Sequence, residues 1–180
     1  MLLSRFPPQP AHESSRKATI GFIPDGPEGI RQTLNLMKSL VRKYKAFLPI
    51  RQLAVQITNH LPNKDWRQEA AAIQSWVRNN IRYVRDITDV ETLHTPEAIL
   101  QIRAGDCDDH ATLTASLLES IGHPTGFFAL GFAPNEYDHV YAITRIGKWY
   151  AAPWLSVETT EPVGIGWRPT GVVSTMVVFN

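Results

Sequence analysis

From Gly29 onward the apolar positions Ile30, Leu34, Met37, Val41 and Tyr44 recur at helical spacing, predicting an amphipathic helix with one buried face. Its other face carries Arg31, Lys38, Arg42 and Lys45, a solvated surface or a docking face for an acidic partner. A second helix is expected from about Pro49 on Ile50, Leu53, Ala54 and Ile57, ending before Pro62. Asp65 suits an N-cap, with Gln68 as its capping-box partner. The helix it opens buries Trp66, Ala70, Ile73 and Val77 and reaches about Asn80. "IRYV" then reads as a short extended segment, and Thr95 with Pro96 opens another short helix that ends at Gly105.

The stretch "AGDCDDHATLTASLLESIGHP" follows, with Cys107 at the start of a helix. Ala111, Ala115, Leu118 and Ile121 form its apolar side, Leu117 lies beside them, and Thr114 is the one polar residue in the stripe. Gly122 supplies the C′ residue and Pro124 stops propagation. Beyond it the period changes. "GFFALGF", "HVYAITRI", "WYAAPWLSV" and "VVSTMVVF" are β-rich runs between turn residues, with Gly147 and Lys148 as a two-residue hairpin loop. Helices first and antiparallel strands afterwards give an α+β fold.

Prolines at 7, 8, 10, 24 and 27 break every helix in the first 27 residues, which read as an extended arm, mobile or laid on a partner. Residues 28–180 form a single domain, with a helical section over 28–62. With 43% hydrophobic and 19% charged residues the 180-residue chain is globular, and its net charge of +1 argues against nucleic acid or an anionic membrane as partner. No apolar run approaches the roughly 20 residues of a membrane span. The N-terminus lacks an apolar stretch of signal-peptide length, which argues against export by that route. The single cysteine cannot form an intrachain disulfide, and a reducing compartment is the simplest setting.

At the first turn of a helix the orphan N–H groups and the dipole favour a thiolate, so Cys107 suits a nucleophile. Asp106, Asp108 and Asp109 oppose that charge, and a depressed thiol pKa needs an imidazolium close by. His94, His110, His123 and His139 are the candidates. His110 lies on the same helix, side by side with Cys107 rather than facing it, whereas His139 opens a strand that can be laid against the helix start. On this reading Cys107 is alkylated faster than a free cysteine at about pH 6.5. The bland alternative is a small buried cysteine with dipole-complementing aspartates. Cys107, His110, Asp106 and Asp109 offer metal-ligand types, but no paired framework of metal-site spacing supports a metal, and no cofactor is implied.

"TPEAILQIRAGDCDDHATLTASLLESIGHPT" followed by "DHVYAI", with "WVRNNIRYVRD" upstream, resembles the transglutaminase-like superfamily and its papain-like cysteine-enzyme core. The resemblance covers residues 65–170. "EGIRQTLNLMKSLVRKYK" and "GIGWRP" extend it toward the small transglutaminase-like proteins of tailed phages and prophages. It implies Cys107 as nucleophile, His139 as general base and an acid at the end of the next strand. Without a gap that acid position falls on Trp154, which cannot orient an imidazole. An insertion of four residues aligns "WLSVETT" and places Glu158 there. If Ile146 pairs with Trp149, His139 lies opposite Ser156, and Glu158 is one diagonal step away on the same face. Asp138, or no third member, are the alternatives.

Tyr83 is a candidate oxyanion donor beside the Cys107 N–H. The implied chemistry is thiol-dependent acyl transfer on a protein or peptide substrate, hydrolytic or cross-linking. The alternative is a phage assembly or connector protein that keeps the fold with weak or no catalysis and contacts other phage structural proteins. Either would sit in the host cytoplasm or in a virion.

Overall fold

The computed structural model describes Pro24 and residues 26–85, 92–147 and 152–180. Most of the expected arm, and Lys148 and Trp149 of the expected hairpin, lie outside them. The order is α1 (Gly26–Tyr44), α2 (Leu48–Thr58), α3 (Trp66–Asn80), β1 (Arg82–Tyr83), α4 (Pro96–Ile102) and β2 (Ala104–Gly105). There follow α5 (Cys107–Ser120), β3 (Thr125–Gly131), β4 (His139–Arg145), β5 (Trp154–Val157) and β6 (Ser174–Phe179). The fold is α+β. Among the described residues no helix is long and apolar enough to cross a membrane.

Local chemistry accounts for most boundaries. α1 starts at Gly26, before the expected Gly29, because Pro27 is tolerated in a first helical turn that uses no N–H. Asp65 caps α3 by accepting from the Gln68 N–H (3.1 Å), and the Gln68 amide returns to the same carboxylate (2.6 Å) rather than to the backbone. Trp66 is only half-buried, and Gln74 takes a buried place on that face instead. Thr95 caps α4 through the Ala98 N–H (3.2 Å). That helix stops at Ile102 rather than Gly105, since Arg103 turns left-handed (φ 59°) and β2 begins at once. At the end of α5 the Gly122 N–H donates to the Glu119 carbonyl and the His123 N–H to that of Leu118, with Gly122 at φ 98°. This is the paired closure that a C′ glycine allows.

α5 runs through the middle of the molecule. Thr112, Leu113, Thr114, Ala115, Ser116, Leu117 and Leu118 are all buried, so the one-sided stripe understates its surroundings. Helices α1–α4 pack on some of its faces and strands β3 and β4 on others. Its polar positions are tolerated in part through local bonds, such as Ser116 Oγ donating to the Thr112 carbonyl (2.8 Å). The basic side of α1 is partly tied down. Lys45 pairs with Glu119 (2.9 Å), Lys38 donates to the Phe179 carbonyl, and Arg31 lies 3.5 Å from Glu28.

The sheet has the antiparallel order β5-β4-β3-β6. Phe127, Ala129, Val140, Ala142 and Val157 face the helical core, while Leu130, Tyr141 and Ile143 form a second cluster with Phe128, Trp154 and Val172. The expected hairpin is corrected here. Ile143 pairs with Ser156, Arg145 pairs with Trp154, and the Ile146 N–H donates to the Pro153 carbonyl (3.3 Å). The connection is therefore longer than the two residues Gly147 and Lys148, and β5 keeps only the last part of "WYAAPWLSV".

Candidate active site

The start of α5 is held by three aspartates with three different contacts. Asp106 is the N-cap and accepts from the Asp109 N–H (3.1 Å). Asp109 accepts from the backbone N–H of His94 (2.8 Å) and contacts its Nδ1 (2.7 Å), tying the approach to α4 onto α5. Asp109 also explains Gly105, where a Cβ would fall 2.5 Å from that of Asp109. Asp108 Oδ1 lies 3.6 Å from the Cys107 sulfur.

That environment keeps Cys107 protonated. Burial pushes the thiol well above its ordinary range, and the charges of Asp108 and Asp106 push the same way. The nearby backbone of Val140 opposes them and loses. The shift runs against the expected thiol more reactive than free cysteine at about pH 6.5, because desolvation and two carboxylates oppose the helix start. The influence of Val140 also sets the thiol near the residue that follows His139.

His139 opens β4, and its Nε2 is 2.6 Å from Glu158 Oε2. Glu158 is fully buried, directly after β5. Its other oxygen accepts from the Thr160 N–H (2.6 Å) and the Thr160 hydroxyl (2.8 Å), and its backbone carbonyl accepts from Gln74 Nε2 (2.7 Å). Burial alone would raise this carboxyl. The hydrogen bond and charge of His139, with the two bonds from Thr160, hold it below its ordinary value. Asp138, the other acid considered, instead accepts from the Phe132 N–H (3.2 Å).

The diagonal relation of His139 to Glu158 arises in a different register from the expected one. Ser156 lies opposite Ile143, four positions from the expected pairing with His139, and continuing the ladder sets Glu158 across from Tyr141. A shift of four is even, so Glu158 stays on the face of His139.

The other histidines are committed elsewhere. His94 belongs to Asp109, and His123 Nε2 lies 2.7 Å from Glu69 Oε2 with its ring 4.6 Å from that of Trp66. His110 is 1% exposed and stands edge-on to Tyr83 at 6.1 Å. Burial lowers its pKa, against the field of Glu158 and the backbone groups of Arg82 and Thr159. Among the described residues no group of three or more His, Cys, Asp or Glu could hold a metal ion.

Tyr83 lies by Cys107. Its phenol is shifted up first by burial and next by Cys107. Tyr141 stacks on Phe128 (5.3 Å, 7°), its ring centroid 6.0 Å from that of His139, and burial raises its phenol to about 12. Sequence reasoning missed Gln74, Thr160 and Tyr141. Of these only Thr160 left a signal, a hydroxyl two residues after the acid, at the spacing of a side chain-to-backbone turn.

The model of the transglutaminase-like superfamily matches residues 51–170 of this chain. No curated protein matches by sequence. Two solved structures share the fold. One is a candidate cysteine protease from Cytophaga hutchinsonii, with 20% identity, a TM-score of 0.51, and coverage of 73% of this chain and 46% of that one. The other is a candidate protease from Parabacteroides distasonis, with 15% identity, a TM-score of 0.53, and coverage of 83% of this chain and 36% of that one. The chain therefore spans less than half the length of either.

Proposed function

We propose that this chain, which belongs to the transglutaminase-like superfamily, carries out cysteine-dependent acyl transfer on peptide or Gln carboxamide groups through Cys107, His139 and Glu158. One observation carries the reading. The buried His139–Glu158 pair stands at the start of the strand whose next residue, Val140, sets its backbone against the Cys107 thiol. Glu158 occupies Nε2, which leaves Nδ1 as the nitrogen free to exchange a proton with the thiol.

Since the resting thiol is neutral, His139 acts as a general base rather than as half of a preformed ion pair. It accepts the proton as sulfur attacks the carbonyl carbon, and Glu158 steadies the imidazolium. The oxyanion meets the Cys107 N–H, which has no partner within its helix, and Tyr83 is the nearest candidate for a second donor. Collapse expels the amine, which takes the proton back from His139, and leaves a thioester on Cys107. Water then completes hydrolysis, or a second amine completes cross-linking. The candidate-protease designations of the two fold relatives support the hydrolytic branch.

The test is mass spectrometry of the protein after brief exposure to p-nitrophenyl acetate. One acetyl group on Cys107, removed by water or faster by hydroxylamine and absent in Cys107→Ala, is the expected result. No acetylation of Cys107 would sink the proposal.

A second reading rests on the raised thiol. A buried cysteine beside two carboxylates also suits a protein that uses the fold for assembly, with weak or no catalysis. The resemblance of α1 and of "GIGWRP" to tailed-phage proteins supports an assembly or connector role among phage structural proteins. It predicts that Cys107 stays unacetylated while the protein remains folded.

A further inference from the structure

Among the described residues the parallel pair β1–β2 leaves the outer edge of β1 unpaired. The N–H groups of Arg82 and Val84 donate to the carbonyls of Arg103 and Gly105, each at 2.9 Å. Successive residues of a strand turn their backbone groups to opposite edges. Tyr83, between the two donors, therefore presents its own N–H and C=O to the far side. Among the described residues no backbone group bonds to either.

This edge is accessible. Tyr83 and Val84 are each 43% exposed, and Arg82 and Arg85 on either side are exposed as well. Proteins normally cover or blunt such an edge, because it is a template for another strand. Here its position supplies a use. β2 runs through Asp106 straight into Cys107, and Cys107 acts electrostatically on the Tyr83 phenol. The flanking guanidinium groups add a charge preference, since an acidic chain is drawn to the edge and a basic one repelled.

We propose that the open edge at Tyr83 docks the substrate as an extended, carboxylate-bearing peptide whose main chain pairs with the Tyr83 N–H and C=O and delivers a carbonyl to Cys107. The recognition mode is strand addition, in which main-chain bonds supply affinity and flanking side chains supply preference. It rests on the acyl-transfer reading above and names the substrate class for that site.

The test uses the full chain alkylated at Cys107 by acetyl-Glu-Ala-Ala-Ala chloromethyl ketone. In this step a carbon–sulfur bond forms, chloride leaves and the thiol proton is released. Hydrogen exchange at the Tyr83 amide is read by NMR against the chain alkylated with iodoacetamide. At least a roughly tenfold slowing at Tyr83 is expected, lost when the probe's backbone nitrogens are methylated. In Tyr83→Ala the slowing at position 83 should persist, because the main chain is what pairs. The Glu probe should also alkylate several-fold faster than its Lys counterpart at low salt, with the rates converging at high salt.

No protection at Tyr83, or equal protection by the methylated probe, overturns the docking mode. Loss of protection in Tyr83→Ala would assign recognition to the phenol and overturns it too, and equal Glu and Lys rates overturn the charge preference. Even an unactivated thiol forms these adducts given time, so failure of the acyl-transfer reading shows separately as absent acetylation.

Discussion

Asp108 Oδ1 stands 3.6 Å from the Cys107 sulfur, and removing its charge is the simplest test of what holds the thiol protonated. Asp108→Asn should move the pH dependence of iodoacetamide labelling to lower pH and raise the rate near neutrality several-fold. An unchanged profile would leave burial and the charge of Asp106 as the causes. Glu158→Gln keeps the size of the side chain but replaces the oxygen facing His139 with a weaker acceptor or a donor. Acylation of Cys107 should fall about ten- to a thousandfold while the circular dichroism spectrum is kept. Unchanged acylation would show that Glu158 has no orienting role.

At the scale of elements, Gly105 shows how tightly the helix start is built. Gly105→Ala drives a Cβ into Asp109 and must loosen its hold on His94. The expected cost is about 1–3 kcal/mol, seen as a lower Tm and faster exchange at the His94 amide. A neutral effect would mean that Asp109 has room to move. The same scale shows what the sequence made legible. Caps were readable because Asp65 and Thr95 act on neighbours within three residues, and so was Gly122, where the turn needs positive φ. The β4–β5 register was not, because its connection does not follow the short-turn rule that Gly147 and Lys148 suggested. Glu158 nevertheless reached the expected face, since pleat alternation depends only on parity. Burial around α5 was also illegible in part, as Thr112 and Ser116 look solvent-facing until four helices and a sheet enclose them.

For the whole molecule, these enclosed groups link stability to pH. Burial lowers His110 and His123 from their ordinary value of 6.5, so the unfolded chain binds more protons than the folded one as pH falls below it. Stability should be full above that value and decline from it downward. A second loss follows at lower pH, because Glu158 is held below its ordinary 4.5 in the folded state and its contribution fades as pH drops through the folded value. Thermal melts across this range should show both limbs. His110→Phe, which keeps an aromatic ring against Tyr83 without a titrating nitrogen, should flatten the first. A melt profile with the same slope in both proteins would remove His110 from the balance.

The central claim concerns a proton passing from Cys107 to His139, and the pre-steady-state rate of Cys107 acetylation by p-nitrophenyl acetate reads it directly. Near pH 7, His139→Ala should acetylate about a hundred- to ten-thousandfold more slowly than the unmodified chain, the range a general base supplies. Equal rates in the two proteins would contradict the account.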